Sequence, residues 1–261
     1  MNSAQAENIL ATLYSSSAAL CIISIISLVV PWQHWDRTFN SCINLDCGCV
    51  LYGINTFGSF MGGDGKVCHF ATYALVPSLL IGVCLGAYHG YRSCFTRSMD
   101  EPRTISRSPS YYNRNNLEGE VVVIRPKQRS PCKQWMPVAC LAALICCLSL
   151  AHAVVITDGY YKTCEQYRRY LVNKLRSGVL ETQAIHNRLS CGAILDFMDY
   201  IHPDTNNWRR GDEINTGLAL QFSITTSWFN LFVWVGIFVI STIMARRRNK
   251  SLGEKLCCCC C

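Results

Sequence analysis

Charge is what this sequence withholds. Not one Asp, Glu, Lys or Arg occurs in residues 9–31, 70–91, 136–157 or 218–245, and only 16% of the 261 residues are charged. A soluble domain carries about 25% charged residues, spread along its length. Four uncharged apolar runs exclude an ordinary globular fold, because roughly 20 apolar residues in a helix cross a bilayer core of about 30 Å. The same absence removes the usual ionisable devices of membrane proteins: proton relays, voltage sensors and ion sites. Catalytic signatures are missing too: there is no G-x-S-x-G, P-loop or H-E-x-x-H. No enzyme activity, cofactor or metal is therefore expected. The first run lacks a basic n-region and is too long for a cleaved leader, so it reads as a retained helix.

The charge that is present lies between the runs. The net charge is +7. Residues 1–8 carry only Glu7, and residues 32–69 hold Arg37 and Lys66 against Asp36, Asp46 and Asp64. Residues 92–135 hold nine basic against four acidic residues, and residues 158–217 balance eight with eight. The tail, 246–261, has Arg246, Arg247, Arg248, Lys250 and Lys255 against Glu254. Lys and Arg flanking membrane helices favour the cytoplasmic side. The 92–135 loop and the tail are thus expected inside, and four spans bring the amino terminus inside as well. Nucleic acid is not an expected partner.

Cysteine arithmetic leads to the same topology. Of 18 cysteines, Cys42, Cys47, Cys49 and Cys68 fall in the first loop, and Cys164 and Cys191 in the third. Even counts in both loops assigned outside suit disulfides in an oxidising compartment. Cys49–Cys68 is the preferred bridge because it clamps the ends of the first loop. Cys42–Cys47 then forms a small local ring, and Cys164–Cys191 encloses part of the third loop.

The loops themselves are short on regular signals. In the first, Cys49-Val-Leu-Tyr is strand-like and Met61-Gly-Gly-Asp-Gly suggests a turn. In the third, helical spacing links Tyr167, Tyr170, Leu171, Lys174 and Leu175, and Ala193–Ile201 suggests a further helix. Ser177-Gly178 and residues 202–207 carry turn chemistry. The Ser-, Arg- and Pro-rich loop 92–135 has the composition of a disordered linker, with Ser106, Ser108 and Ser130 in phosphorylation-like contexts.

Within the spans, Gly82, Gly86 and Gly90 form a G-x-x-x-G-x-x-x-G ridge, and Ala139, Ala143, Cys147 and Ala151 form a small-residue row. Such rows let helix backbones approach closely in lipid. The two are expected to pack on each other inside one bundle, the alternative being an interface for a partner or a second copy. His89 and His152 lie roughly 20 Å apart along the membrane normal at 1.5 Å per residue, too far to share a metal. His152 is expected to bond Gln221, at a similar depth. Cys257, Cys258, Cys259, Cys260 and Cys261, beside a basic cluster near a span, suit S-palmitoylation, with Cys94 a further candidate.

Several of these pieces resemble the transmembrane protein 179 family, particularly its 179B branch. They are Cys49-x-Leu-Tyr-Gly-x-x-Thr56, Cys68-x-Phe70, Ser93-Cys94, Cys164 and Cys191, Leu220-Gln221-Phe222, and Ser227-Trp228-x-Asn230-Leu231-x-x-Trp234. The resemblance implies a four-span topology and no particular activity. Cys42, Cys47, the longer loops and the five-cysteine tail depart from it. The G-L-W-x-x-C of claudins and the C-C-G of tetraspanins are absent.

The expected protein is an all-α membrane protein: a four-helix transmembrane bundle with a small disulfide-bonded extracellular or luminal cap. Its expected location is the plasma membrane or the secretory and endosomal membranes. Its expected role is that of a scaffold or accessory subunit binding other membrane proteins laterally, with homo-oligomers allowed. A channel or transporter is the alternative, its candidate pore stripe being Ser15, Ser16, Ser17, Ser24 and Ser27. An oxidoreductase using Cys146 and Cys147 ranks below both, since buried thiols on an apolar helix are inert.

Overall fold

The computed structural model describes residues 3–40, 42, 46–56, 59–95, 135–175, 178–201 and 214–252. Apolar runs become helices because lipid offers no partner for backbone N–H and C=O groups. The elements are α1 (Ser3–Phe39), β1 (Cys49–Asn55), β2 (Phe60–Gly63), α2 (Gly65–Tyr73), α3 (Val76–Phe95), α4 (Met136–Leu175), α5 (Val179–Asn187), α6 (Cys191–Ile201) and α7 (Thr216–Leu252). Among the described residues, four helical segments are long and apolar enough to cross a membrane: α1, α2 with α3, α4 and α7.

The helices overrun the apolar stretches. The 40 residues of α4 make a rod of about 60 Å, twice the bilayer core. It does not stop at Asp158, where a loop was expected, but runs on through Tyr167 and Tyr170 to Leu175. Likewise α1 passes through Pro31 and continues to Phe39, because Trp35 and Phe39 bury themselves in the cap. The second span is broken instead. Asp64 caps α2 by accepting from the Lys66 N–H at 2.9 Å, and the helix ends before Leu75, two residues ahead of Pro77. Pro77 has no N–H to donate to the Tyr73 carbonyl four residues back, which interrupts the helical hydrogen-bond ladder there.

In cross-section the order is α3, α1, α7, α4: α1 packs on α3 and α7, α7 packs on α4, and α3 barely meets α4. The expected glycine-on-alanine seam is therefore not formed. A Cβ on Gly82 would lie 3.2 Å from the Tyr14 carbonyl oxygen, and one on Gly86 3.3 Å from the Tyr14 Cβ, so the ridge serves α1. Gly90 has nothing within 4 Å of such a Cβ. On α4, Ala139 is buried and Ala143 half-buried, while Cys147 and Ala151 are exposed. A row spaced by four drifts about 40° per step on a helix of 3.6 residues per turn. After three steps it has left the buried face, which runs instead through Ala142, Ile145, Ser149, His152, Ala153 and Ile156.

Two cores result. One joins Ala6, Leu10 and Tyr14 to Trp135, Trp234, Met244 and Ala245, which places the beginning of α1 and the end of α7 at the same end. The other lies at the opposite end and joins the helices to the cap. There β1 and β2 pair antiparallel, with Cys49 opposite Gly63 and Asn55 opposite Phe60. Gly62 and Gly63 thus lie in a strand rather than the expected turn. The chain reverses between them and β1, where the Thr56 N–H donates to the Ser59 carbonyl at 3.0 Å. A chain of rings, Trp35, Phe39, Phe60 and Tyr167, runs from α1 through β2 to α4 with centroids 4.9, 5.4 and 5.0 Å apart.

Candidate functional site

Two places concentrate polar chemistry: a seam inside the spans and the joint between spans and cap. In the seam, Ser17 on α1 donates to Asn230 Oδ1 on α7 at 2.7 Å. Trp234 Nε1 donates to Ser78 Oγ on α3 at 2.7 Å, and Asn230 Nδ2 reaches the same oxygen at 3.5 Å. The thiol of Cys21 also bonds Ser78, at 3.4 Å. One turn or two nearer the cap, Ser24 meets Ser227 at 3.0 Å and Ser223 at 3.3 Å. All these side chains are neutral, and each contacts another helix. The serines of α1 do not form one stripe: Ser17 and Ser24 face the seam, while Ser15 and Ser16 bond carbonyls of their own helix.

The histidines part company as their depths require. His152 Nε2 lies 2.8 Å from the Ala71 carbonyl, in the last turn of α2 beside the helix break. Bonding to Gln221 was expected, but Gln221 Nε2 donates to the Tyr160 hydroxyl at 3.1 Å instead. A broken helix leaves carbonyls without intrahelical donors, and that need outcompetes a surface amide. His89 stacks on Tyr14 in the other core, with centroids 5.7 Å apart. Nearby, Arg92 pairs with Glu7 at 3.3 Å.

The joint is stapled by Cys42–Cys47, Cys49–Cys68 and Cys164–Cys191. Between the staples, Thr163 of α4 anchors β1: its hydroxyl donates to the Val50 carbonyl and accepts from the Gly53 N–H, both at 3.0 Å. Tyr52, between those two contacts, has φ 57°, the left-handed region that a tyrosine seldom adopts. Its hydroxyl donates to Asp158 Oδ2 at 2.8 Å, and Lys162 sits 5.1 Å from its ring centroid. Burial and the Asp158 carboxylate push the Tyr52 hydroxyl up to about 12. A Cβ on Gly159 would fall 2.8 Å from the Tyr52 ring, so the helix can meet the hairpin only with glycine there.

Deeper in the joint, Trp35 Nε1 donates to Thr216 Oγ1 at 2.8 Å, and Asp199 accepts from both the Thr216 N–H and its hydroxyl. Thus α6 caps α7, and α1 braces the cap. Burial raises the pKa of Asp199 above the ordinary carboxylate range, against the pull of the Thr216 bonds. Sequence reasoning missed Tyr52, Ser78, Asp199, Thr216 and Asn230 as structural centres. For Ser78 and Asn230 a signal existed: each is a polar residue inside an apolar run.

Between α4, α6 and α7 a groove of about 410 Å³ opens at the surface of the bundle, lined by Tyr160, Tyr161, Ser190, Cys191, Gln221, Ile224 and Thr225. The lipidation candidates are placed only in part. Cys94 stands in the last turn of α3, and Cys257–Cys261 lie outside the described residues, as do Ser106, Ser108, Ser130 and the 202–207 turn. Cys146 is half-buried and Cys147 exposed, so the adjacent thiols diverge around α4.

Four membrane-spanning helices beneath a disulfide-bonded cap define an all-α, multi-pass integral membrane protein. No protein-family model, curated protein or solved structure matches the chain.

Proposed function

We propose that this four-span protein is a non-enzymatic scaffold or accessory subunit that binds other membrane proteins laterally. One observation carries the reading. The buried polar side chains Ser17, Ser24, Ser78, Ser227, Asn230 and Trp234 are paired across the seam between α1, α3 and α7, while the bundle's exterior is mostly apolar, with Leu144, Phe232 and Leu80 among the exposed residues. Such an exterior suits lipid and the flanks of other membrane helices. The cap supplies a stapled recognition surface. The rival reading, an oligomeric channel or transporter, would need a polar pore lining other than Ser17 and Ser24, which face α7.

In this reading the cap faces the extracellular or luminal side, and both termini face the cytoplasm. Disulfides belong to oxidising compartments, and the basic segments 92–135 and 246–261 join or extend helices at the end away from the cap. Palmitoylation of Cys257–Cys261 and Cys94 would fasten the tail to the inner leaflet, its basic residues adding attraction to anionic lipid. Membership of the transmembrane protein 179 family belongs to the same proposal, supported by the order and spacing of the shared motifs. Affinity purification of the full-length chain from membranes in mild detergent should recover a membrane protein in fixed stoichiometry. Recovery of this chain alone counts against the reading.

A further inference from the structure

The cap holds chemistry that lateral binding does not use. Its three bridges differ in what they fasten. Cys49–Cys68 ties β1 to α2, and Cys164–Cys191 ties α4 to α6. Cys49, Cys68 and Cys164 are at most 1% exposed and belong to the core that joins cap and helices, with Cys191 packed against it. Cys42–Cys47 closes only a small ring in the connection from α1 to β1, and neither cysteine stands in that core. The three sequence separations are 5, 19 and 27. Loop-closure entropy scales the fold's loss with the 3/2 power of that length. Opening the small ring therefore weakens folding about sevenfold less than opening Cys49–Cys68, and about twelvefold less than opening Cys164–Cys191.

The two sulfurs of the small ring are unequal. Cys42 is half-buried, whereas Cys47 is 6% exposed. An incoming thiolate reaches a disulfide at its accessible sulfur, so Cys42 is attacked and Cys47 is released. The surroundings suit the released group. Cys47 Sγ lies 3.5 Å from the Phe39 carbonyl oxygen and 3.9 Å from Asn40 Oδ1. In the closed ring this sulfur carries no proton, and neither contact is a hydrogen bond. Once the ring opens, a thiol there can donate to either oxygen.

We infer that Cys42–Cys47 is a thiol-exchange site, at which Cys42 forms a mixed disulfide with a thiol of the compartment the cap faces and Cys47 is the resolving thiol. The thiolate R–S⁻ attacks Cys42 Sγ. The Cys42–Cys47 bond breaks, and its electron pair leaves on Cys47 Sγ, which takes a proton from water. If R carries a second thiol, that thiolate attacks the R sulfur of R–S–S–Cys42. Cys42 then leaves and is protonated, and R departs as a disulfide, having passed a pair of electrons to the cap. If R carries none, Cys47 attacks Cys42 Sγ, expels R–SH and restores the ring. This chemistry needs the bridge and not a lateral partner, so it and the scaffold role can fail separately.

The test uses the full-length protein in nanodiscs, its free cysteines first blocked. Graded glutathione buffers form one arm and a thioredoxin-type dithiol the other. Newly freed thiols are alkylated and assigned by mass spectrometry, with fragment ions separating Cys42, Cys47 and Cys49. Cys42 and Cys47 are expected to open while Cys49–Cys68 and Cys164–Cys191 stay closed. Opening in the glutathione arm assigns a small thiol as the source, and opening in the dithiol arm alone assigns a protein. With oxidised glutathione, Cys47→Ser should keep an adduct on Cys42, and Cys42→Ser should lose it, its remaining Cys47 being buried. Monodisperse elution with the other two bridges intact establishes that each variant is folded. If a variant does not fold, the order of opening in the wild type decides alone. Bridges that open together, Cys164–Cys191 opening first, or equal adducts on the two folded variants overturn the proposal.

Discussion

Placing one bulky side chain at two glycines of the same ridge should give opposite results. At Gly82 a Cβ already stands 3.2 Å from the Tyr14 carbonyl and 3.5 Å from the Ala18 nitrogen, both backbone atoms of α1 that cannot swing aside. Leucine adds three more carbons in that direction, so α1 and α3 must separate. Overpacking of this kind costs typically 1–3 kcal/mol. Separation also stretches the Ser78 bonds to Trp234 and Asn230, one turn away. We expect Gly82→Leu to lose about 3 kcal/mol. At about 2–4 °C per kcal/mol for a chain of this size, the melting temperature should fall by about 6–12 °C. Gly90→Leu meets open space and gains helix propensity worth up to about 1 kcal/mol, so it should melt at or slightly above the wild type. Gly82→Ala should fall between them, its tight contact offset by the same propensity gain. The assay is size-exclusion of detergent-solubilised protein after heating, with the folded peak scored against temperature. Equal losses at both positions, or no loss at Gly82, would refute the packing of α3 on α1.

Removing Cys164–Cys191 by double serine substitution frees a loop of 27 residues, which the chain-entropy relation values at about 3.5 kcal/mol; the cap should become protease-sensitive while the spans stay protected. Thr163→Val deletes a hydroxyl that serves both Val50 and Gly53 and should cost about 1–3 kcal/mol, read as faster amide exchange confined to β1 and its neighbours. For Asp199, whose folded pKa is raised by burial, the folded state holds its proton more tightly than the unfolded chain. The stabilisation is therefore complete below about pH 4 and is lost as pH rises through the folded value. The melting temperature of the wild type minus that of Asp199→Asn should climb as pH is lowered from 7 towards 4, and a difference that shrinks would contradict the burial of this carboxyl.

The spans and their number were legible because lipid imposes a crude rule, and residues 9–31 or 136–157 obey it without exception. The staples were legible because Cys164 and Cys191 stand alone in their loop. Helix ends were not, since hydropathy reports where lipid stops rather than where hydrogen bonding stops; Lys162 and Glu165 look like loop residues and stand on α4. The packing of the rows failed on geometry: Ala151 shares a spacing with Ala139 but not a face. Contacts such as Asp199 with Thr216, or Thr163 with Gly53, join residues from separate segments that no local pattern links. The polar seam lay between these cases, since Asn230 and Ser78 stand out in their runs but their pairing does not.

The uninterrupted run of α4 from Met136 to Leu175 gives the molecule a stiff mast. Both hairpin and α6 are fastened to its upper part, through Thr163 and through Cys164, with no turn in it to absorb motion. A partner that tilts the cap must therefore swing the far foot of α4, beside Trp135 and Ile237, in the opposite sense. In the second span only α2 is tied to the cap, by Cys49–Cys68, and the interruption at Ala74 and Leu75 separates it from α3, which packs on α1.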